Sequence, residues 1–215
     1  MNISDKTIGR LSLYRRLLYR FTAEGRTNVY SHQIAAMSGA TPAQVRRDLM
    51  VIGYSGSPNR GYRIDDLISS IGEFLDDPSG QNVTLVGVGN LGRAILAYFA
   101  GRRPKLAIVA AFDIVPDKVN RTIHGCHCYP MEEFPAIAKR ENITVGILTV
   151  PADVAQSAAQ MLAESGVRGI LNFAPVVLTL PPTVYVQDVD MVMTLERVAY
   201  FARKNIPDMK RGTQL

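Results

Sequence analysis

The sequence predicts an α/β protein in two parts: a small winged helix-turn-helix domain, then a mostly parallel sheet wrapped by helices. Three observations carry this. Continuous apolar segments (VTLVGV at 83–88, LAIVAAFD at 106–113, ITVGILTV at 143–150) alternate with helical stretches, the pattern of strands buried on both faces. The stretch TPAQVRRDLMVIG, from Thr41, opens like a capped helix behind a glycine turn. And residues 1–64 hold ten Lys/Arg against three acids, while the remainder holds 14 against 16, so the basic charge is concentrated in the first part.

Taken in order, residues 8–23 place Ile8, Leu11, Tyr14, Leu17, Leu18 and Phe21 at helical spacing, with Gly25 as a stop. Ser31 opens a short helix closed by Gly39. Thr41 caps the next, with Pro42 first in it and Gln44 third, completing a capping box. YSGSPNRGYRI reads as a hairpin with Tyr62 and Ile64 alternating on the return strand, and residues 65–77 as a linking helix. DDPSGQN marks a boundary, giving domains at 1–77 and 78–190, with 191–215 as a C-terminal helix and tail. In the second domain, helices are expected at Leu91–Arg102, MEEFPAIAKR (broken near Pro135), ADVAQSAAQMLAESG and Met191–Lys204. Further strands are expected at CHCYP, RGILNF and 183–190.

NVTLVGVGNLGRA (82–94) is a GxGxxG motif in the context it requires, after a strand and opening a helix. Gly87 makes the tight turn, Gly89 lets backbone approach a pyrophosphate, and Gly92 lets the helix pack on the sheet. The free N–H groups of the helix start favour phosphate. Asp113 ends the second strand, 26 residues after Gly87, where a carboxylate accepts from an adenine-ribose 2′-OH. It disfavours a 2′-phosphate, a preference that Lys118 blunts. The motif alone leaves open a glycine turn used for packing, or another adenine nucleotide such as coenzyme A.

The composition, 215 residues with 47% hydrophobic, supports a packed core with no apolar run long enough to span a membrane, and MNISDKTIGR, lacking an apolar h-region, gives no expectation of a signal peptide. Two cysteines make no disulfide framework, so a cytoplasmic location is expected. Cys126 and Cys128 share one face of a strand, in HGCHCY. Core packing is the leading reading, ahead of a thiol switch or a metal site, and no metal is expected. No Tyr-x-x-x-Lys pair follows the glycine motif, and no catalytic constellation is visible; the protein is read as a non-enzyme. The alternatives are an NAD-dependent oxidoreductase with a basic oligomerisation domain, and a DNA-binding protein whose Rossmann part only dimerises.

In the basic part, Val45, Leu49 and Ile52 share one face of the Thr41 helix. Ala43, Arg46, Arg47 and Met50 lie opposite, with Gln44 at the flank. Arg and Gln read guanine and adenine edges in a major groove, and the wing brings Arg60 toward phosphate. The competing reading is three packed helices with an ordinary charged face. The residues assigned to double-stranded DNA are Arg10, Ser31, Gln44, Arg46, Arg47, Arg60 and Tyr62.

Across nearly its whole length the chain resembles the Rex family of bacterial redox-sensing repressors, through RLSLYRRLL, AQVRRDL, GYRI, VGVGNLGRAILAYF, AFDIVPDKV, ILTVPADVAQ, GILNFAPVVL and VDMVMTLERVAYF. The resemblance implies a homodimer that binds operator DNA when NADH is scarce and leaves it when NADH binds, NAD+ being the competing form. Its targets are genes of respiration and fermentation. It implies a domain-swapped C-terminal helix, here 192–205, inserting between the partner's two domains. It places Gly87, Gly89, Asn90, Leu91 and Gly92 at the phosphates, Asp113 at the ribose, and Thr149, Val150, Asn172 and Ala174 by the nicotinamide; Lys118, read from its position near Asp113, is counted with the cofactor-binding residues. The resemblance joins Arg16, Tyr98 and Asp190 in a coupling network, the last two also counted with the cofactor site. Two departures stand out. The family often carries Lys where this chain has Arg47, and its wing usually has Arg-Gly where this chain has Pro58-Asn59.

Overall fold

The computed structural model describes residues 3–57, 59–101 and 105–204. The chain forms two compact units, divided between Ser79 and Gly80.

The first unit has four helices, α1 (Asp5–Ala23), α2 (Ser31–Ser38), α3 (Pro42–Val51) and α4 (Ile64–Leu75), and two short strands, β1 (Asn28–Val29) and β2 (Tyr62–Arg63). Its core is built from the apolar stripes of these helices, with Leu11, Tyr14, Leu18, Phe21, Ile34, Val45, Leu49, Leu67 and Ile71 buried together. Gly39 ends α2 in the left-handed conformation at φ 70°, which only glycine adopts without strain. Thr41 then caps α3 by accepting from the Gln44 N–H at 3.1 Å.

Three expectations are corrected here. The capping box at Thr41 is only half present, because the Gln44 side chain turns to Asp48 instead of back to Thr41; a nearby carboxylate outcompetes a backbone N–H. The return strand of the wing pairs with β1, antiparallel, with Val29 opposite Tyr62, and the wing arm itself keeps only a bridge between Ser57 and Gly61. Ile64 is the first residue of α4 rather than part of the strand. Pro58 lies outside the described residues.

The second unit is a seven-stranded sheet in the order β5-β6-β4-β3-β7-β8-β9. Its strands are β3 (Gln81–Val86), β4 (Leu106–Asp113), β5 (Arg121–Ile123), β6 (Cys126–Pro130), β7 (Ile143–Leu148), β8 (Gly169–Asn172) and β9 (Tyr185–Asp188). Every pairing is parallel except β5 with β6. From β6 to β9 the order is the 3-2-1-4-5-6 of a doubly wound sheet. Alternate side chains feed two cores. Phe112, Phe134, Leu148, Ala155 and Leu162 pack on one face. Leu85, Ile95, Leu96, Ala111, Cys126 and Cys128 pack on the other.

The helices are α5 (Asn90–Phe99), α6 (Phe134–Arg140), α7 (Ala152–Glu164) and α8 (Met191–Lys204). Helix α5 ends at Phe99, three residues before the expected Arg102, which lies outside the described residues. Pro135 does not break α6; it sits in its first turn, after a 3-10 turn at Met131–Glu133, where a missing N–H costs nothing. No residue of α8 is buried. Residues 205–215, including the last residue of the expected swapped helix, lie outside the described set. Among the described residues, no helix is long and apolar enough to cross a membrane, and no three His, Cys, Asp or Glu cluster as a metal site.

Candidate cofactor and DNA-binding sites

The carboxyl ends of β3 and β7 meet at the point where the strand order reverses, the place where open α/β sheets bind ligands. There a cleft of about 650 Å³ is lined by Gly87, Gly89, Leu91, Asp113, Lys118, Thr149, Val150 and Met131, among others. Gly87 sits at φ 96°, and a Cβ on it would lie 2.7 Å from the Thr149 carbonyl oxygen. A Cβ on Gly92 would collide with the Gly87 carbonyl. A Cβ on Gly89 would meet nothing within 4 Å. So Gly87 and Gly92 are required by the protein's own packing, while Gly89 borders open space of the kind a pyrophosphate fills. Gly89 is also the N-cap of α5, and no side chain caps that helix, leaving its first N–H groups for an anion.

Asp113 is buried and heavily engaged. Its Oδ2 accepts from the Val88 N–H at 2.7 Å and from Lys118 Nζ at 3.0 Å; its Oδ1 accepts from the Val115 N–H at 2.9 Å. Burial pushes its pKa up, but the Val115 N–H, the Lys118 ammonium and the Val88 N–H more than offset this, and the net shift is downward. The carboxylate therefore stays ionised and also staples the glycine loop to the end of β4. Thr149, just past β7, performs the same office, donating through Oγ1 to the Gly87 carbonyl at 2.6 Å.

The other residues of this set lie on several elements. Val150 lines the cleft. Asn172 is fully buried; its Nδ2 donates to Asp188 Oδ1 at 2.8 Å and to the Val176 carbonyl at 2.9 Å, while its Oδ1 accepts from the Ala174 N–H. Both amide hydrogens are thus used within the protein, one on the loop after β8 and one on the end of β9. Asn90 starts α5. Tyr98 is 59% exposed on the same helix. Asp190 caps α8, accepting from the Met193 N–H at 2.8 Å. Arg16 is exposed on α1, in the other unit. The sequence reading missed the Asp113–Val88 staple and the Asp190 cap. The second had a visible signal, an Asp three residues before the helical Met193; the first had none.

In the basic unit, α3 buries Val45, Asp48 and Leu49 and exposes Ala43, Arg46, Arg47 and Met50. Arg46 Nη1 donates to Ser31 Oγ at 3.1 Å, bracing one arginine against the start of α2. Arg60 is exposed in the wing, and Tyr30 donates through its hydroxyl to the Asn59 carbonyl. Tyr62, by contrast, is a core residue, 7% exposed. Arg10 turns inward and grips the buried carboxylate of Asp48.

The two cysteines pack in one core beneath α5. Burial, with Cys128 nearby for Cys126 and Asp113 nearby for Cys128, pushes both thiols up to about 11.

Residues 79–176 match the CoA binding domain family, and residues 2–49 match a family described as putative DNA-binding protein N-terminus. The redox-sensing transcriptional repressor Rex of Desulforamulus reducens is 37% identical over 200 residues, 93% of this chain and 95% of that protein. The Rex of Streptococcus pneumoniae (strain Hungary19A-6) is 40% identical over 204 residues, 94% of this chain and 96% of that one. The solved structure of RSP, a Rex-family repressor, in complex with β-NAD+ and operator DNA, superposes with a TM-score of 0.87. Its identity is 28%, and it covers 95% of this chain and 94% of that one. The RSP complex with β-NADH superposes at 0.84, again 28% identical, over 95% and 96%.

Proposed function

The chain belongs to the Rex family of redox-sensing transcriptional repressors, and from that premise we propose that it is a homodimeric repressor. It holds double-stranded operator DNA and leaves it when NADH fills the cleft of its second unit. The observation that carries this reading is the pairing, in one chain, of a glycine loop stapled to an ionised Asp113 at the sheet's switch point with a helix-turn-helix unit exposing Arg46 and Arg47.

When bound, the dinucleotide supplies a redox signal through the charge and planarity of its nicotinamide. The N–H groups at Asn90, Leu91 and Gly92 would hold the pyrophosphate. Asp113, kept ionised by Lys118 and two backbone N–H groups, would accept from the adenine-ribose hydroxyls. Val150 and Ala174 would border the nicotinamide, with Asn172 shaping the loop that carries Ala174. Moving the population from 99:1 DNA-competent to 1:99 needs a differential affinity of about 5.5 kcal/mol between the two states. Arg16, Tyr98 and Asp190 are the proposed coupling network, and α8 the proposed swapped helix. On the DNA side, Arg46 and Arg47 face bases, while Ser31 and Arg60 meet phosphate. The protein works as a regulator and not as an enzyme, in the cytoplasm where the operator lies.

The test is fluorescence anisotropy of a labelled palindromic fragment, selected from random DNA by the protein itself, at fixed salt with NADH or NAD+ added in parallel. Release by NADH at concentrations where NAD+ does little is the expected result. Binding indifferent to both cofactors would overturn the redox-sensing reading. Turnover of an alcohol, aldehyde or hydroxy acid with NAD+ would restore the oxidoreductase one.

A further inference from the structure

The carboxylate of Asp48 faces the protein interior from the helix that faces DNA, and it is 2% exposed. Four donors converge on it. Arg10 gives two parallel bonds, Nε to Oδ2 at 2.6 Å and Nη2 to Oδ1 at 2.7 Å. The Tyr14 hydroxyl donates to Oδ2 at 2.9 Å, and Gln44 Nε2 donates to Oδ1 at 2.8 Å. Each oxygen thus accepts twice, which saturates the carboxylate. Arg10 Nη2 continues to Thr7 Oγ1, so the network runs from the first turn of α1 to the first turn of α3.

The consequence falls on Gln44. An amide can rotate by half a turn and exchange its donor and acceptor ends at almost no cost in shape. Here it cannot, because an acceptor-only carboxylate takes its Nε2. The end left for a ligand is Oε1, together with the second Nε2 hydrogen. An acceptor beside a donor is the complement of adenine in the major groove, with its N6 amino group and N7. A glutamine turned the other way would present donors alone to a keto base.

We infer that Asp48, held by Arg10 and Tyr14, sets the orientation of Gln44 and thereby makes it a reader of adenine at one position of each operator half-site. Arg10 and Asp48 are positioning residues in this scheme, acting on DNA only through Gln44. The inference rests on the repressor reading and adds to it a base and the device that selects that base.

The experiment measures the wild-type chain against operator fragments carrying each of the four bases at every half-site position, with the parent fragment selected from random DNA. The expected result is one position per half-site at which adenine is preferred by about tenfold or more, within the ~5- to 150-fold range of a bidentate base contact. Gln44→Ala, at a half-buried site that costs no core, flattens that position and leaves the others unchanged. Asp48→Asn, checked for folding by circular dichroism, flattens the same position. A Gln44→Ala variant that keeps every base preference, or weakens all operators equally, would overturn the inference. So would a flattened position at which the wild type prefers guanine or thymine. An Asp48→Asn protein that folds and keeps the adenine preference would overturn the role of Asp48. If Asp48→Asn does not fold, the Gln44→Ala profile alone decides. A wild-type chain that selects no DNA would remove the repressor reading and this inference with it, an outcome distinct from all the others.

Discussion

Asp113 uses both carboxylate oxygens to staple the glycine loop to the end of β4, and the proposed ribose contact draws on the same group. Substitution by Asn keeps the outline but removes the charge beside Lys118 and sets an amide NH2 against one of the two stapling N–H groups, so it tests the carboxylate as a whole. NADH affinity should fall by about tenfold or more, while DNA binding without cofactor persists; release at wild-type NADH concentrations would refute the ribose role. The same carboxylate has a pH signature. Its pKa is lowered on folding, so its contribution is complete above the unfolded value of about 3.9 and is lost as pH falls through the folded one. Urea midpoints between pH 3 and 6 should decline less steeply for Asp113→Asn than for the wild type. The thiols make the opposite case. With pKa values pushed up to about 11, Cys126 and Cys128 hold at least a hundredfold less thiolate at pH 7 than a free cysteine of pKa about 8.5. Ellman's reagent should find no fast thiol in the folded protein and two after denaturation. A fast-reacting thiol would revive the redox-switch reading set aside in favour of core packing.

At the scale of elements, α1 is clamped to two neighbours through a pair of arginines. Arg10 holds α3 through Asp48. Arg15 holds the end of α4 through Asp76, its Nη1 lying 2.8 and 2.7 Å from the two carboxylate oxygens. Arg15 Nε is buried with no hydrogen-bond partner, so the pair is incompletely compensated. Removing only the acid leaves a buried cation, the costly half of such a pair. Asp76→Ala should therefore destabilise the first unit by about 2–4 kcal/mol. Adding Arg15→Leu should recover part of that loss in urea titrations, and a double variant no more stable than Asp76→Ala would argue against the pair. These elements also show what a sequence can reveal. The stripe Leu11–Tyr14–Leu18–Phe21 and the caps at Thr41 and Gly39 were legible because they obey local periodicity and local hydrogen bonding. The glycine loop was legible because strand, turn and helix follow one another in order. The pairing of β2 with β1 and the inward grip of Arg10 were not, because each depends on a partner up to 38 residues away that no local pattern names; the turn of Gln44 toward Asp48 is an i,i+4 pair within α3, where the capping signal at Thr41 competed with it. Arg10, assigned to DNA from its charge, is also the partner of Asp48, a carboxylate the charge alone did not reveal.

For the whole molecule, the instructive element is α8. It exposes Met191, Val192, Met193, Leu195, Val198, Tyr200 and Phe201, each at 45% or more, a cost that a chain avoids unless another surface covers them. The second copy of the chain is the proposed cover, in keeping with a repressor whose two recognition helices must meet two half-sites about a helical turn apart. Replacing Leu195 and Val198 together by Glu places two charges in that apolar surface without touching any of the three cores. Light scattering at micromolar concentration should then report a monomer where the wild type gives a dimer. Operator affinity should fall by at least tenfold, since each half-site is now bound alone and the gain from linked binding is gone. Binding to a single half-site fragment should be unchanged, because α3 and its arginines are intact. A double variant that stays dimeric would show that another surface holds the two copies together. One that becomes monomeric yet binds the full operator as tightly as before would show that dimerisation through this helix is not what sets operator affinity.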